Sequence, residues 1–512
     1  PAGVPRIGGV SSFGFSGTNA HVVVEGVPEL PVSQPAATER PFQLLTLSAK
    51  NAEALKAYVH SYVDFLEIHP ELDLGDLSYT SHLGRSHFSH WLSVVAGSVA
   101  EMREKLVAAS RGEQETGRGV VTAQQEAPRI AFLFTGQGAQ YSGMGRELYE
   151  TQPVFRSVLD RCDQAFQDCY GRSLLELLYT APDAETASSQ ATDLMNSHPC
   201  GQAANYALEC ALAELWLAWG IRPAAVLGHS LGDFAAAYVA GVLGLEEGLR
   251  LVTRRGELME RAEGEMVAVM GSAQAVAPFV DPYPDATIGV VNGPASVVVS
   301  GARASVAVIA EALQSAGFKT RRLAIPVAAH SPMLDPVLDE FEEAVRATLL
   351  AAPKLPVVSS MTGSWVTEEL TQPGYWRAHL RNTVQFAQGV TTLHAAGTDI
   401  FLEVGPQATL LGMAGGREQE TERTALLPSL RPGQSDWQQL LSSLGALYVR
   451  GAAIDWEGFD RGYSRRKVAL PTYPFQRQRF WVQSRPSRRA AASLRLLIDK
   501  VTQLPQQQLT LY

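Results

Sequence analysis

A serine between two glycines is the strongest chemical signal in the sequence. Gly228-His229-Ser230-Leu231-Gly232 follows an apolar strand predicted at Ala224–Leu227 and precedes a helix predicted from Asp233 onward. The glycines permit a sharp strand-to-helix turn that raises the serine hydroxyl above a sheet. The backbone N–H of Leu231 would then face an oxyanion formed at this position. The pattern predicts a nucleophilic Ser230, whereas the alternative is a glycine turn with an incidental serine.

A serine needs a base to accept its proton, and the candidates here are histidines. His229 adjoins Ser230 in sequence, so its side chain is expected to point away. His198 and His330 lie in the same predicted domain. A lone histidine in a loop such as that of His330 is often a surface or capping residue, so the residues alone leave the choice of base open.

The composition limits the class of protein. With 512 residues the chain is expected to form two or three domains, and its net charge of -10 argues against a general nucleic-acid binder. No apolar run is long enough for a membrane span, and no signal peptide is predicted. The chain begins at Pro1 within a motif, so we expect a segment of a longer polypeptide.

Cysteine and histidine spacing does not favour a metal site. The four cysteines, at positions 162, 169, 200 and 210, form no CxxC motif, which favours free thiols in a reducing cytoplasm. His82, His87 and His90 cluster in sequence without an acidic or cysteine ligand beside them. Metal binding is conceivable there, but we expect exposed side chains and no metal.

Alternating apolar strands and helices from residue 129 onward predict an α/β-hydrolase-like domain, with helices on both faces of a parallel sheet. Within it, residues 264–326 show the order βαββαβ of a ferredoxin-like subdomain. The predicted elements of this insert are strands at 266–271, 286–291, 296–300 and 319–325, and helices at 273–280 and 303–316. A small α/β unit precedes the main domain, followed by a polar segment at 111–127 predicted as a linker.

Six motifs occur in the order found in a known family. They are FTGQGAQYSGMG (134–145), GHSLGD (228–233), RRGELM (254–259), VNGPASVVVSG (291–301), AAHSPM (328–333) and FLEVGP (401–406). In these motifs the chain resembles the acyltransferase domain of modular type I polyketide synthases. That domain is similar to the malonyl-CoA:acyl-carrier-protein transferases of fatty-acid synthesis. The resemblance covers roughly residues 129–425.

The resemblance implies a division of the chain into five parts. These are the C-terminal remnant of a ketosynthase at 1–28, a ketosynthase-to-acyltransferase linker domain at 29–127, the acyltransferase domain at 128–430 with its insert at 264–326, a post-acyltransferase linker at 431–483, and a tail at 484–512 that resembles the lead-in to a carrier-protein domain. His21, in the ketosynthase-like motif FGFSGTNAH, would need a cysteine partner upstream. No cysteine precedes Cys162, so no condensing activity is expected.

By the same resemblance, Ser230 is the acyl-ester nucleophile and His330 its general base, oriented by a backbone carbonyl from residues 379–382. Gln137 and the backbone of Leu231 are implied to form the oxyanion hole. Arg255 matches the arginine that clamps the free carboxylate of a malonyl group, and a guanidinium suits that bidentate contact. A solvated helix residue is the alternative for Arg255.

The resemblance implies that His198 lies near the bound carboxylate, at a position where the family usually has glutamine, and its ring could still donate a hydrogen bond. The implied substrate is a CoA thioester, malonyl-CoA or methylmalonyl-CoA. The implied acceptor is the phosphopantetheine of an acyl carrier protein domain, and a ketosynthase domain of the same module is a further partner. No permanently bound cofactor, metal, nucleic acid or membrane is expected.

The extender unit is left open by two features. Leu231 resembles malonyl-type members and favours malonyl, whereas Val327-Ala328-Ala329 before His330 matches neither the malonyl nor the methylmalonyl motif. Ala329 leaves room beside the α-carbon, so methylmalonyl is the alternative. Two other functions compete. The first is an α/β-hydrolase or thioesterase. Asp335 could be cast as its acid, but it follows His330, against the Ser…Asp…His order of that class. The second is a non-catalytic docking scaffold.

Overall fold

The computed structural model of the protein describes residues 6–26, 39–112, 117–120, 126–179, 197–323, 327–414, 424–479, 481 and 495–500. Its chain divides into two units, residues 1–472 and residues 473–512. The strands of the first unit are β1 (Ile7–Phe13), β2 (Asn19–Glu25), β3 (Gln43–Ala49), β4 (His90–Ala96), β5 (Gly117–Val120), β6 (Ile130–Phe134), β7 (Ala225–Gly228), β8 (Glu265–Met270), β9 (Ala286–Gly293), β10 (Ser296–Gly301), β11 (Lys319–Arg322), β12 (Val357–Val358), β13 (Trp365–Val366), β14 (Ile400–Val404) and β15 (Ala425–Pro428).

The α-helices of this unit are α1 (Ala52–Ile68), α2 (Leu74–Leu83), α3 (Val99–Arg111), α4 (Arg146–Thr151), α5 (Pro153–Tyr170), α6 (Leu174–Tyr179), α7 (His198–Ala218), α8 (Gly232–Val239), α9 (Leu245–Met259), α10 (Ala273–Val280), α11 (Arg303–Ser315), α12 (Leu338–Arg346), α13 (Pro373–Arg381), α14 (Phe386–Ala395), α15 (Leu410–Ala414), α16 (Asp436–Tyr448) and α17 (Trp456–Asp460). Two 3-10 helices span Pro332–Val337 and Glu368–Thr371.

The central sheet has six strands in the order β13-β12-β7-β6-β14-β15. All neighbours run parallel except β12 and β13. The strands β6, β7 and β14 are buried along their whole length, as expected for a parallel sheet covered on both faces. Helix α7 is apolar around most of its circumference and almost entirely buried. The predicted α/β architecture is confirmed.

The inserted subdomain has the predicted βαββαβ order. Strands β11, β8, β10 and β9 are neighbours in that sequence and pair antiparallel, which is the ferredoxin-like arrangement. A separate valine-rich core lies between this sheet and the helices α10 and α11. The chain enters and leaves the subdomain side by side, because Glu263 and Val327 form an isolated bridge. This bridge places the end of α9 close to the segment that carries His330.

A three-stranded sheet of β3, β4 and β5 forms the small unit that precedes the central domain. Strand β5 lies within the segment predicted as a linker, and its pairing with β4 accounts for its position. Its sequence, Gly-Arg-Gly-Val, has no apolar alternation, so periodicity gives no signal for it. The core of this unit includes Leu470 from the predicted post-acyltransferase linker.

Aromatic and charged packing holds the small unit against the α16–α17 region. Arg40 is buried, pairs with Asp460 and lies over the ring of Phe459 at 4.0 Å. His82 is buried as well and stacks on Trp456, with ring centroids 3.9 Å apart. The histidine cluster therefore includes packing residues, contrary to the expectation of exposed side chains.

Strands β1 and β2 form a hairpin in which every residue is exposed, including seven large apolar side chains. Two-stranded hairpins are marginally stable alone. The assignment of residues 1–28 to a ketosynthase remnant stays a prediction. His21 contacts the hydroxyl of Ser11 at 2.7 Å. No cysteine lies in the described part of the hairpin.

The second unit contains a helical segment at 495–500, within the predicted tail. Residues 482–494 and 501–512 of the predicted linker end and tail lie outside the described residues. So do residues 27–38, where the predicted ketosynthase remnant meets the predicted linker domain. No helix among the described residues is both long and apolar enough to cross a membrane.

Candidate active site

Ser230 lies at the junction of β7 and α8, on a turn that only glycine flanks permit. A Cβ at Gly228 would lie 2.1 Å from the backbone nitrogen of Asp233, and one at Gly232 would lie 2.2 Å from the carbonyl oxygen of Phe134. Ser230 itself has φ of 55°, which is costly for a residue with a side chain, at about 1–3 kcal/mol. The predicted strand–turn–helix elbow is therefore present.

Asp233 ties this elbow together from inside the fold. Its carboxylate accepts hydrogen bonds from the N–H of Gly228 at 2.9 Å and from the hydroxyl of Ser360 at 2.7 Å. His379 contacts the same carboxylate at 3.0 Å. Because Asp233 is buried, these partners satisfy a charge that would otherwise be unpaired, and they fix both ends of the turn.

His330 contacts the serine directly. Its Nε2 lies 2.7 Å from Ser230 Oγ, and its Nδ1 lies 2.9 Å from the carbonyl oxygen of Asn382. The Nδ1–H must donate to that carbonyl, so Nε2 carries the lone pair that can accept the serine proton. His330 has φ of 56°, and among the described residues it and Ser230 are the only non-glycine residues with positive φ. The orienting carbonyl lies in the predicted segment 379–382.

Burial lowers the pKa of His330 well below its ordinary value of 6.5, and the nearby Arg255 cation adds to the effect. The imidazole is therefore neutral at physiological pH, which is the state that a proton acceptor needs.

Arg255 brings to the serine a positive charge that no carboxylate of the described residues pairs with. It projects from α9, is 1% exposed, and donates from its two terminal nitrogens to Gln202 Oε1 at 2.8 Å and to Ser230 Oγ at 3.0 Å. Its Nε has no partner among the described residues. Desolvation lowers the pKa of Arg255 to about 10, so the side chain remains charged at neutral pH.

A chain of side-chain amides links Arg255 to His198. Gln202 donates from its amide to Gln137 Oε1 at 3.1 Å, and the amide of Gln137 contacts His198 Nδ1 at 2.5 Å. Since Nδ1 accepts, the ring proton of His198 lies on Nε2, which is buried without a partner among the described residues. Burial lowers the pKa of His198 to about 4. His198 is therefore a neutral donor beside the arginine.

The side chain of Gln137 is thus occupied, so its backbone N–H is the group left for an oxyanion. In the described structure, neither that N–H nor the N–H of Leu231 donates to a protein acceptor. The side chain of Leu231 is buried in the core. Both N–H groups are open to an external acceptor, and the oxyanion hole of Gln137 and Leu231 stays a prediction.

A cavity of about 750 Å³ opens at these groups. Gln137, His198, Ser230, Arg255 and His330 all line it, and the small subdomain contributes β8 and β11 to its wall. Of the three predicted specificity residues, only Ala329 lines the cavity. Val327 and Ala328 are buried in packing, with Ala328 against the backbone of Gly264. No group of three or more potential ligand side chains in the described residues could hold a metal ion.

Sequence patterns did not single out Asp233, Gln202 or Ser360. Gln202 lies one helical turn after His198, so helical spacing would have placed both on one face of α7. Ser360 comes from a loop far along the chain, and local sequence carries no signal for its contact with the elbow.

Comparison with protein families agrees with the geometry. A family model described as "Acyl transferase domain" matches residues 131–454, and one described as "CurL-like, PKS C-terminal" matches residues 43–106. The chain belongs to the acyltransferase domains of polyketide synthases. The second match lies within the linker domain predicted before the acyltransferase.

Curated relatives extend the similarity over the whole chain. The chain is 37% identical over 522 residues to Mycoketide-CoA synthase of Mycobacterium tuberculosis, and the match covers 99% of this chain. It is 36% identical over 501 residues to Polyketide synthase GfsA of Streptomyces halstedii, covering 95% of this chain. The chain spans only 12% and 7% of the length of these two relatives.

Solved structures show the same fold. The acyl transferase domain of ZmaA superposes with a TM-score of 0.77 at 32% identity, covering 85% of this chain and all of that one. The MCAT from Streptococcus pneumoniae superposes with a TM-score of 0.54 at 28% identity, covering 61% of this chain and 99% of that one. The chain thus contains this acyltransferase fold together with the flanking segments described above.

The elbow predicts a sharp difference between two glycine variants. In Gly232→Ala the new methyl group would meet the Phe134 carbonyl, so we expect loss of Ser230 reactivity towards a fluorophosphonate probe by at least tenfold. Gly412→Ala is the matched control, because its Cβ would meet no atom within 4 Å. Wild-type labelling rates in a folded Gly232→Ala variant would contradict the proposed strain at the turn.

Proposed function

We propose that this acyltransferase domain moves a malonyl-type extender unit from CoA to the phosphopantetheine thiol of an acyl carrier protein, through an acyl ester on Ser230. The observation that carries the proposal is Arg255, a buried cation within hydrogen-bond distance of the serine that has no carboxylate partner in the part of the chain the structure describes. A buried charge of this kind costs several kcal/mol unless it is paired. The free carboxylate of a malonyl group supplies the missing partner.

In the first half-reaction, Ser230 Oγ attacks the thioester carbonyl of the extender CoA while His330 Nε2 accepts the hydroxyl proton. The developing oxyanion is stabilised by the N–H groups of Gln137 and Leu231. When the C–S bond breaks, His330 returns the proton to the leaving CoA thiolate. The products are free CoA and an acyl-serine ester.

In the second half-reaction, the carrier-protein thiol attacks the acyl ester and His330 accepts its proton. The same oxyanion hole stabilises the second tetrahedral intermediate. Collapse of that intermediate breaks the bond to Ser230 Oγ, which regains its proton from His330. This ping-pong sequence uses one base for both steps and requires no metal.

Selection for a dicarboxylic substrate follows from the polar contacts. Arg255 can pair with the free carboxylate, and the unpartnered Nε2–H of His198 can donate to the same group. A simple acyl group would leave both donors buried without an acceptor, and sites of this kind reject analogues that lack the expected polar group. Of the two extender units, malonyl is the one that Leu231 favours, while the space at Ala329 admits a methyl branch.

Substitution of Arg255 tests the proposal. Wild-type protein should transfer label from malonyl-CoA to a phosphopantetheinylated carrier protein. In Arg255→Ala, malonyl transfer should fall by roughly 30-fold or more, as expected when one partner of a buried charge pair is removed, while the preference for malonyl-CoA over acetyl-CoA is lost. Arg254→Ala is the matched control. Arg254 adjoins Arg255 in sequence, but its guanidinium is exposed and pairs with Glu257 and Glu340.

Three outcomes would overturn the proposal. These are no acyl adduct on Ser230, hydrolysis at a rate insensitive to carrier protein, and equal use of malonyl-CoA and acetyl-CoA by the wild type. The second is the result that a thioesterase would give, and the first is that of a docking scaffold.

The pKa of His330 predicts the pH dependence of acylation. Because the neutral imidazole accepts the proton and its pKa is depressed, kcat/KM should stay constant on acidification past pH 6.5 and decline only below it. A bound carboxylate pairs with Arg255 and removes part of the depression, so the decline in kcat should occur at a higher pH than that in kcat/KM. Stopped-flow acylation rates from pH 5 to 8 would measure both. A kcat/KM inflection at or above 6.5 would contradict a buried base.

The space at Ala329 predicts tolerance of an α-methyl group. In competition between malonyl-CoA and methylmalonyl-CoA, the wild type should use both. Ala329→Phe should reduce methylmalonyl transfer relative to malonyl by roughly 10–200-fold, the usual range for one methyl group in an apolar pocket. An unchanged ratio in the variant would place the methyl-discriminating contact elsewhere in the cavity. The reference is the ratio of methylmalonyl to malonyl transfer in the wild type, because the neighbouring Ala328 is buried and its substitution would disturb packing.

A further inference from the structure

The loop that carries His330 rests on the sheet of the small subdomain. Ser300, on β10, is fully buried and donates its hydroxyl proton to the carbonyl oxygen of Ala329 at 2.6 Å. On the adjacent strand β9, a Cβ at Gly289 would lie 3.2 Å from that carbonyl oxygen and 3.4 Å from the carbonyl oxygen of His330. The backbone before and after the imidazole therefore lies directly over this sheet.

The same subdomain also places the carbonyl that orients the imidazole. The N–H of Val291 donates to the carbonyl of Val384 at 2.8 Å, and the N–H of Val384 donates to the carbonyl of Gly289 at 2.9 Å. These two hydrogen bonds join β9 to Val384 of the main domain, which lies two residues after Asn382. The acceptor of the His330 Nδ1–H is thereby fixed relative to β9.

His330 is held in a conformation that it would not adopt unaided. A positive φ in a histidine persists only where the surroundings over-determine it. Among the described residues, the carbonyl immediately before it accepts a side-chain hydrogen bond from Ser300 alone. We infer that Ser300 is a positioning residue, whose hydroxyl anchors the Ala329 carbonyl and so keeps His330 Nε2 in line with Ser230 Oγ.

Ser300 has no place in substrate binding, since it does not line the cavity. Loss of its hydroxyl should therefore affect proton transfer and leave substrate affinity unchanged. Misplacement of a catalytic group by about 1 Å can cost roughly 100-fold in rate. A looser loop would also expose the imidazole to water, which would raise the pKa of His330 towards its ordinary value. This inference rests on the proposed role of His330 as the base.

The test compares Ser300→Ala with Ser305→Ala in malonyl transfer to a carrier protein. Ser305 lies in the same subdomain and donates to Asp285 at 2.9 Å, away from the catalytic loop. Ser300→Ala should lower kcat by roughly 10–100-fold, leave KM for malonyl-CoA within about twofold of the wild type, and move the acidic decline of kcat/KM to higher pH. Ser305→Ala should match the wild type in all three measurements.

A second pair of variants keeps the test decisive if Ser300→Ala does not fold. A Cβ in Gly289→Ala would lie 3.0 Å from Ser300 Cβ and 3.2 Å from the carbonyl oxygen of Ala329, so it would crowd the same hydrogen bond, whereas Gly293→Ala on the same strand meets only Ser296 Cβ at 3.8 Å. We expect a kcat defect in the first variant alone.

Wild-type kcat in folded Ser300→Ala, or in Gly289→Ala where Ser300→Ala is unfolded, would overturn the inference. So would a wild-type pH profile in a variant with reduced kcat, because that result would indicate a purely structural role. If the wild type and Ser305→Ala form no acyl-serine at all, the proposed function fails instead, and the two failures are distinguishable.

Discussion

A buried guanidinium that no described carboxylate pairs with is the constraint around which this site is arranged. Arg255 is desolvated and charged, and its nearest polar groups are a neutral amide and the Ser230 hydroxyl. Such a charge is tolerated in the free protein only because the rest of the fold is stable enough to bear its cost. A substrate whose carboxylate pairs with Arg255 removes this cost on binding, and the site therefore favours dicarboxylic thioesters.

The fold delivers this charge through close helix packing. Helix α9 approaches α7 at two glycines, since a Cβ at Gly256 would lie 2.5 Å from Pro199 and one at Gly248 would lie 2.0 Å from the hydroxyl of Tyr206. This approach puts Arg255 beside the start of α7, where His198 and Gln202 lie. The base arrives from another direction, through the exit of the inserted subdomain. The site therefore forms only where the central sheet, the helix pair and the insert meet.

Local patterns in the sequence predicted much of this architecture. The apolar strands, the glycine-flanked serine and the βαββαβ rhythm each arise from short-range constraints, so they can be read from neighbouring residues. The Asn382 carbonyl was predicted to within a four-residue segment only because the chain resembles a known family. The Asp233–Ser360 contact, the Ser300–Ala329 hydrogen bond and strand β5 depend on tertiary pairing between distant segments. Nothing in their local composition marks them, and they emerge only when the chain is folded.

Binding without chemistry tests the central claim most directly. Ser230→Ala protein cannot form the ester, so calorimetric titration with malonyl-CoA and acetyl-CoA measures the carboxylate contact alone. The account predicts that malonyl-CoA binds at least tenfold more tightly than acetyl-CoA, and that this difference disappears in Ser230→Ala/Arg255→Ala. Equal affinity for the two thioesters in Ser230→Ala, or a preference for malonyl-CoA that survives removal of Arg255, would contradict it.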